Sequence, residues 1–454
     1  MWTSAAFTAL ACATITNPSN ALPELSIDKY KLENGLTVIL HHDARLPLVA
    51  VNVWYDVGAR HEKEGLSGFA HLFEHMMFQG SLHVGEDKHF SYLQAAGATG
   101  INGTTSFDRT NYFQTVPKNY LELALWLESD RMGFLLDTLT NKSLQNQIEV
   151  VQNERRQSLE NRPYGLMNEM ITQSLYPKPH PYYGNIIGSM TDIAAATLDD
   201  VREFFRTYYT PANASLVIAG DFDPKTIKAT VAQYFGSLKG RAKPPTVNIP
   251  PPKIQSEMLK RFDEPVGKLS KLSVTWMGPS SYQQDTADLD VLSHIISGTK
   301  SSRLDRKVSF EDQLAQSVTA YFSETMSGSQ FRIEIVLRPG RTPEEAHQAV
   351  DEVLAKFKSK PITEAEVMRA QNYVESTMIK GLEKLGGFSG RADLLQRYNL
   401  FLGSPDKLAW DLSRYRKTTP SSVTKALEKY LTKNRLIVYA TPSKKTVPAK
   451  ETKQ

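Results

Sequence analysis

The chain has 454 residues, of which 41% are hydrophobic and 22% charged, an ordinary globular balance that excludes wholesale disorder. A net charge of +4 is too weak over this length to mark a nucleic-acid binder, and no apolar run reaches the roughly 18–20 residues a membrane-spanning helix needs. The single cysteine, Cys12, excludes a disulfide framework and a cysteine-built zinc site, so any metal must be held by histidines and carboxylates.

In chain order, residues 1–21 read as an export signal. A weakly apolar stretch over 4–15 is followed by Ser19 and Ala21 at the −3 and −1 positions of a cleavage site. Removing it also removes Cys12, which suits an oxidising compartment such as the bacterial periplasm. The competing reading is a cytoplasmic N-terminus, because no Lys or Arg precedes the stretch. A first domain, 22–238, opens on Tyr30–Leu32 and Leu36–Leu40 around Asn34-Gly35, a hairpin signal. Leu48–Val57 is a second β-rich run, and Asn102–Thr115 has the Thr/Tyr/Phe content of a strand. Residues 65–79, 86–96, 118–136 and 142–160 have helical composition, and a helix over 194–207 leads into the strand Ala214–Ala219. The segment 239–255 carries five prolines and reads as a semi-rigid linker. A second domain occupies 256–440, and the polar, basic tail 441–454 is expected to be disordered.

The two domains resemble each other. Gln152-Asn153 precedes Glu154 as Gln371-Asn372 precedes Tyr373, an offset of 219 that also carries His75 onto His294. Leu216–Ala219 finds its counterpart in Leu436–Tyr439 at an offset of 220. The repeats imply duplication of one α+β unit, a mixed sheet with helices packed on it. At the same offset His71 falls on Asp290, Glu74 on Ser293 and Glu154 on Tyr373, so a metal held by the first unit is not expected in the second.

The chemistry-bearing segment is His71-Leu72-Phe73-Glu74-His75. On a helix, i and i+4 share a face, so both imidazoles can address one Zn²⁺, with Glu74 beside them as a carboxylate able to accept a proton from the attacking water. The bland alternative is a pair of helical histidines that only pack or face solvent. A catalytic zinc usually takes three protein ligands. No other histidine sits in an obviously paired context, so a carboxylate of the 142–160 helix is expected as the third ligand: Glu149, Glu154 or Glu160, the first two on different faces.

His71–His75, followed by Val150-Val151-Gln152-Asn153-Glu154-Arg155-Arg156, resembles the pitrilysin/insulinase zinc peptidases with the inverted motif, in particular half-length, mitochondrial-processing-type bacterial members. Asn102-Gly103-Thr104-Thr105 with Asp108, Thr110 and Tyr112, Tyr183–Gly188 and Phe204–Asp221 extend the resemblance over most of the chain. It implies a zinc endopeptidase of two α/β units forming half of a clamshell, with one zinc per chain held by His71, His75 and Glu154 and with Glu74 as general base. It further implies that Asn102, Gly103, Thr104 and Thr105 receive flexible peptide substrates as an added strand. Two positions depart from the family pattern: Gln147 stands where a second, assisting Glu is usual, and Gly103 where Ala is usual. The first favours an alternative reading, a catalytically weak binding or assembly subunit of the same fold.

Arg391 and Tyr398, seven apart on a helical stretch, should share a side. By the same resemblance such a pair reaches a zinc site from the facing half of the clamshell. Two chains would then face each other, as a homodimer or as a heterodimer with a related subunit, each completing the other's site.

Overall fold

The computed structural model describes residues 25–247 and 249–443. The expected export signal, Cys12 and positions 444–454 of the tail lie outside the described residues. The first sheet has six strands: β1 (Asp28–Lys31), β2 (Thr37–His42), β3 (Leu48–Tyr55), β4 (Thr99–Thr105), β5 (Thr110–Pro117) and β6 (Ala214–Gly220), in the order β1-β2-β6-β3-β5-β4. The second has five: β7 (Met258–Glu264), β8 (Lys271–Met277), β9 (Ala315–Ser323), β10 (Gln330–Leu337) and β11 (Leu436–Pro442), in the order β7-β11-β8-β10-β9. Strand for strand, β2-β6-β3-β5-β4 repeats as β7-β11-β8-β10-β9. The one parallel pair recurs too, β2 with β6 and β7 with β11, while the other pairings are antiparallel. The duplication read from the offsets is thus a duplication of topology, and only β1 is extra.

Local chemistry explains the element boundaries. Gly35 takes φ 93 in the β1–β2 turn, as the Asn34-Gly35 signal requires. The strand expected over Asn102–Thr115 is instead a hairpin of β4 and β5. The Ser106 hydroxyl accepts the N–H groups of Asp108 and Arg109 at 3.1 and 3.0 Å, which turns the chain without glycine or proline. The helix expected to begin at 65 begins at Phe69, because Gly65 and Gly68 both adopt positive φ. At the other end, Thr441 and Pro442 belong to β11 rather than to a disordered tail.

Period-two alternation gives each sheet two buried faces. Val49, Val51, Val53, Leu216 and Ile218 point into the core shared with the unit's own helices. Ala50, Val217 and Ala219 point the other way, onto Ala392 and Leu395 of the helix Arg391–Leu402, which comes from the second unit. The favour is returned: Leu436, Val438 and Ala440 of β11 pack on Met167, Ile171 and Leu175 of the helix Gly165–Leu175, from the first unit. The two units therefore exchange helices. Gln396, fully buried, ties the exchanged helix to the first sheet. Its amide donates to Asn52 O at 2.7 Å and Ser215 O at 2.8 Å, and its Oε1 accepts from the Ser215 hydroxyl.

Because Gln396→Ala would orphan several buried polar groups at once, it should cost roughly 3 kcal/mol. Urea unfolding followed by fluorescence and by circular dichroism should show one shared, earlier transition. Separate transitions for the two halves would contradict the exchanged-helix coupling.

Candidate active site

The helix Phe69–Met76 carries the motif. Gly68 caps it at φ 86, where a Cβ would sit 2.3 Å from Ile187 O. The Glu62 carboxylate accepts from the N–H groups of Gly68 at 3.0 Å and Ala70 at 2.9 Å, satisfying helix-end donors that would otherwise be orphaned. Leu72, Phe73 and Met76 fill the core, which turns His71 and His75 toward the helix Asn141–Arg155. On that second helix Gln147 and Glu154, two turns apart, face the histidines, whereas Glu149 is exposed on another face. Of Glu149, Glu154 and Glu160, Glu154 is the one beside both histidines.

Glu154 Oε2 lies 3.4 Å from His75 Nε2 and 3.7 Å from His71 Nε2. Ligands bound to a tetrahedral zinc at about 2.0–2.2 Å stand about 3.4 Å from one another, so two imidazole nitrogens and a carboxylate oxygen at these spacings fit the ion. It is the only such group of three or more metal-ligating side chains among the described residues. In the second unit the corresponding helices bring together Asp290, His294 and Tyr373. His294 is 4.0 Å from Asp290, and its ring centroid lies 4.5 Å from that of Tyr373.

His75 Nδ1 lies 3.3 Å from Gln147 Oε1. An amide oxygen only accepts, so this contact places the ring proton on Nδ1 and leaves Nε2 free toward Glu154. Gln147 therefore orients His75 without adding charge. Burial, with His75 adding, pushes His71 down to about 4. Burial also lowers His75, but its hydrogen bond to Glu154 and the nearby Glu74 carboxylate outweigh this and the net shift is upward. Glu154 is correspondingly held below its usual range, first by the His75 hydrogen bond. Glu74 is buried, which raises its pKa, and its Oε2 accepts from Thr105 Oγ1 at 2.6 Å. A Cβ at position 103 would lie 2.9 Å from Glu74 Oε1 and 3.1 Å from the Phe78 ring. The glycine thus lets Glu74 lie against β4, where an alanine would crowd it.

A cavity of about 730 Å³ collects His71, Glu74, His75, Gln147 and Glu154 beside β4, the outer strand of its sheet. Asn102, Gly103, Thr104 and Thr105 line it. The Asn102 side-chain Oδ1 accepts the Gly103 N–H at 2.9 Å, and Thr104 bonds Asn111.

Arg391 and Tyr398 both lie buried in the chain. Arg391 is buried, ion-paired to Asp43 and 3.2 Å from His41 Nε2. Tyr398 has no exposed surface, and its hydroxyl donates to Asp411 at 2.8 Å. Both lie on the helix that the second unit lends to the first, so the face they share is turned inward. Arg397, between them in sequence, is exposed instead.

Residues 37–180 match the insulinase (peptidase family M16) profile, and residues 195–374 match that of the peptidase M16 inactive domain. The chain is 28% identical over 362 residues to the zinc protease PqqE of Helicobacter pylori, covering 79% of this chain and 81% of that protein. It is 26% identical over 357 residues to an uncharacterised zinc protease, YmxG, of Bacillus subtilis, covering 79% and 85%. A protease structure from Helicobacter pylori superposes with a TM-score of 0.85 at 25% identity, over 92% of this chain and 100% of that one. The periplasmic protease PqqL of Escherichia coli shares the fold with a TM-score of 0.77 at 17% identity, over 94% of this chain but 50% of that one.

Tyr398→Phe should lower stability by about 1 kcal/mol, the usual worth of one hydrogen bond, and leave metal content and turnover unchanged. Paired denaturation and activity measurements check this. Turnover lost at unchanged stability would return Tyr398 to the site.

Proposed function

The chain belongs to the insulinase (M16) family of peptidases, and from that premise we propose that it is a zinc-dependent endopeptidase acting on flexible peptides or unfolded polypeptides. One observation carries this reading: His71, His75 and Glu154 converge on one point while Glu74, buried between that point and β4, is held ready on Thr105. His71, His75 and Glu154 would hold one zinc per chain. When bound, the ion supplies Lewis-acid polarisation of the scissile carbonyl and lowers the pKa of the attacking water. Glu74 takes the proton from that water and returns it to the departing amine, a role its upward-shifted pKa favours. The free edge of β4 aligns an extended backbone through main-chain hydrogen bonds, which a folded protein rarely offers.

The reading extends to assembly and location. In the PqqL structure this fold fills half of a chain. A second copy or a related subunit would close the cleft here, without using Arg391 or Tyr398. The cleavage pattern at Ser19–Ala21 and the periplasmic neighbour together support export. Gln147 favours a second reading, a binding subunit of low activity, because no carboxylate stands at that position.

Glu74→Gln separates the two. It should keep about one zinc per chain while lowering peptide turnover roughly 10²–10⁴-fold; His75→Ala should lose the metal. Elemental analysis with a chelator-controlled cleavage assay reads both. Wild-type protein that holds zinc but cleaves no peptide supports the binding subunit, and zinc retained in His75→Ala overturns the ligand set.

A further inference from the structure

A second cavity, of about 440 Å³, lies where the two units meet. It adjoins the candidate active site: Ile186 lines both, and Ser106 on its wall directly follows Thr105 at the end of β4. Its walls include the aromatic residues Trp54, Phe107, Tyr282 and Phe401, and the charges set among them are unequally matched.

Of the acids, Asp108 is held by Arg60 at 3.3 Å, by the Tyr182 hydroxyl and by the Met326 N–H. Asp411 is held by Arg414 and by Tyr398. Glu324 accepts the Tyr282 N–H at 3.1 Å, and burial raises its pKa. The bases Arg109 and Arg397 are left over. Arg109 donates through Nη1 to Thr104 O at 2.9 Å and to Asn111 at 3.3 Å, and stacks over Trp54 at 5.0 Å, with no carboxylate in ion-pair range among the described residues. Arg397, 47% exposed, reaches only Asp393, at 3.6 Å. Asp393 lies near both guanidiniums, with Glu74 and Asp108 also near Arg109 and Glu324 near Arg397. Among the described residues only the Arg397–Asp393 contact comes within ion-pair range, so neither guanidinium is closely neutralised at the cavity wall.

We propose that this cavity is a carboxylate subsite, in which Arg109 and Arg397 together receive an acidic side chain or the C-terminal carboxylate of a peptide lying along β4. The assignment rests on the peptidase reading for its occupant and extends it to a preference. Paired guanidiniums suit a carboxylate because each offers a planar fork of donors, and Arg109, anchored through Thr104, ties the subsite to the strand that aligns the substrate.

The test measures binding on the full-length, zinc-loaded Glu74→Gln protein, so that hydrolysis does not intervene. Fluorescein-labelled peptides differ only by Glu or Gln at successive positions, and in a second arm by a free or amidated C-terminus. At one position, or at the terminus, the carboxylate form should bind about tenfold tighter. The preference should fall below about twofold on adding Arg397→Gln or Arg109→Gln and persist in part with Arg397→Lys, which keeps the charge that steadies Asp393. Equal affinities in both arms, a preference untouched by either glutamine variant, or no peptide binding overturns the subsite. Hydrolysis by wild type without any carboxylate preference would sink the subsite alone. A carboxylate preference in binding without any hydrolysis by wild type would sink the peptidase reading and leave the subsite standing.

Discussion

The exchange of helices between the two units is the constraint on which everything else hangs. Each sheet has a face that its own unit does not cover, and each is covered by a helix lent by the other. Neither apolar face is buried in an isolated unit, so the halves are expected to fold as one body. Alanines at 50, 219 and 392 let the helix Arg391–Leu402 approach the first sheet closely, and Gln396 consumes backbone carbonyls that would otherwise be stranded. With the back of the sheet fixed in this way, β4 remains at the outer edge with its cavity open beside it.

Within that frame the motif helix is held from both ends. Glu62 grips its first turn, and its apolar side is sunk in the first core. The histidines then have one direction left, toward Gln147 and Glu154, while Glu74 is directed to the strand. Two directions are thereby separated across one helix: His71 and His75 toward the neighbouring helix, Glu74 toward the edge strand. The second unit keeps the helices and the sheet but has Asp290, Ser293 and Tyr373 where the first has His71, Glu74 and Glu154. On the proposed reading, the same frame carries chemistry only where the side chains supply it.

Features that depend on neighbours in sequence were legible. The i, i+4 histidines, the Asn34-Gly35 turn and the near-constant offset between the units all follow from local geometry or from copying. Features that depend on where a face is turned were not. Glu149 and Glu154 are equivalent until the helix is docked. Arg391 and Tyr398 do share a helix side, as their spacing requires, but spacing is silent on whether that side meets solvent or a borrowed sheet. Arg397, one residue away, received the opposite fate. The turn at Ser106–Arg109 was not legible because a single serine hydroxyl bends it rather than glycine or proline. Gln147 stood out as a departure from a family pattern, yet its contact with His75 is visible only in three dimensions.

The central claim is that one metal site, in the first unit alone, is built by His71, His75 and Glu154. Anomalous diffraction on either side of the zinc absorption edge, from crystals of the full chain grown with zinc at one equivalent, tests it most directly. The account predicts a single peak per chain, within bonding distance of those three side chains. No peak there, or a second one beside Asp290, His294 and Tyr373, would contradict it.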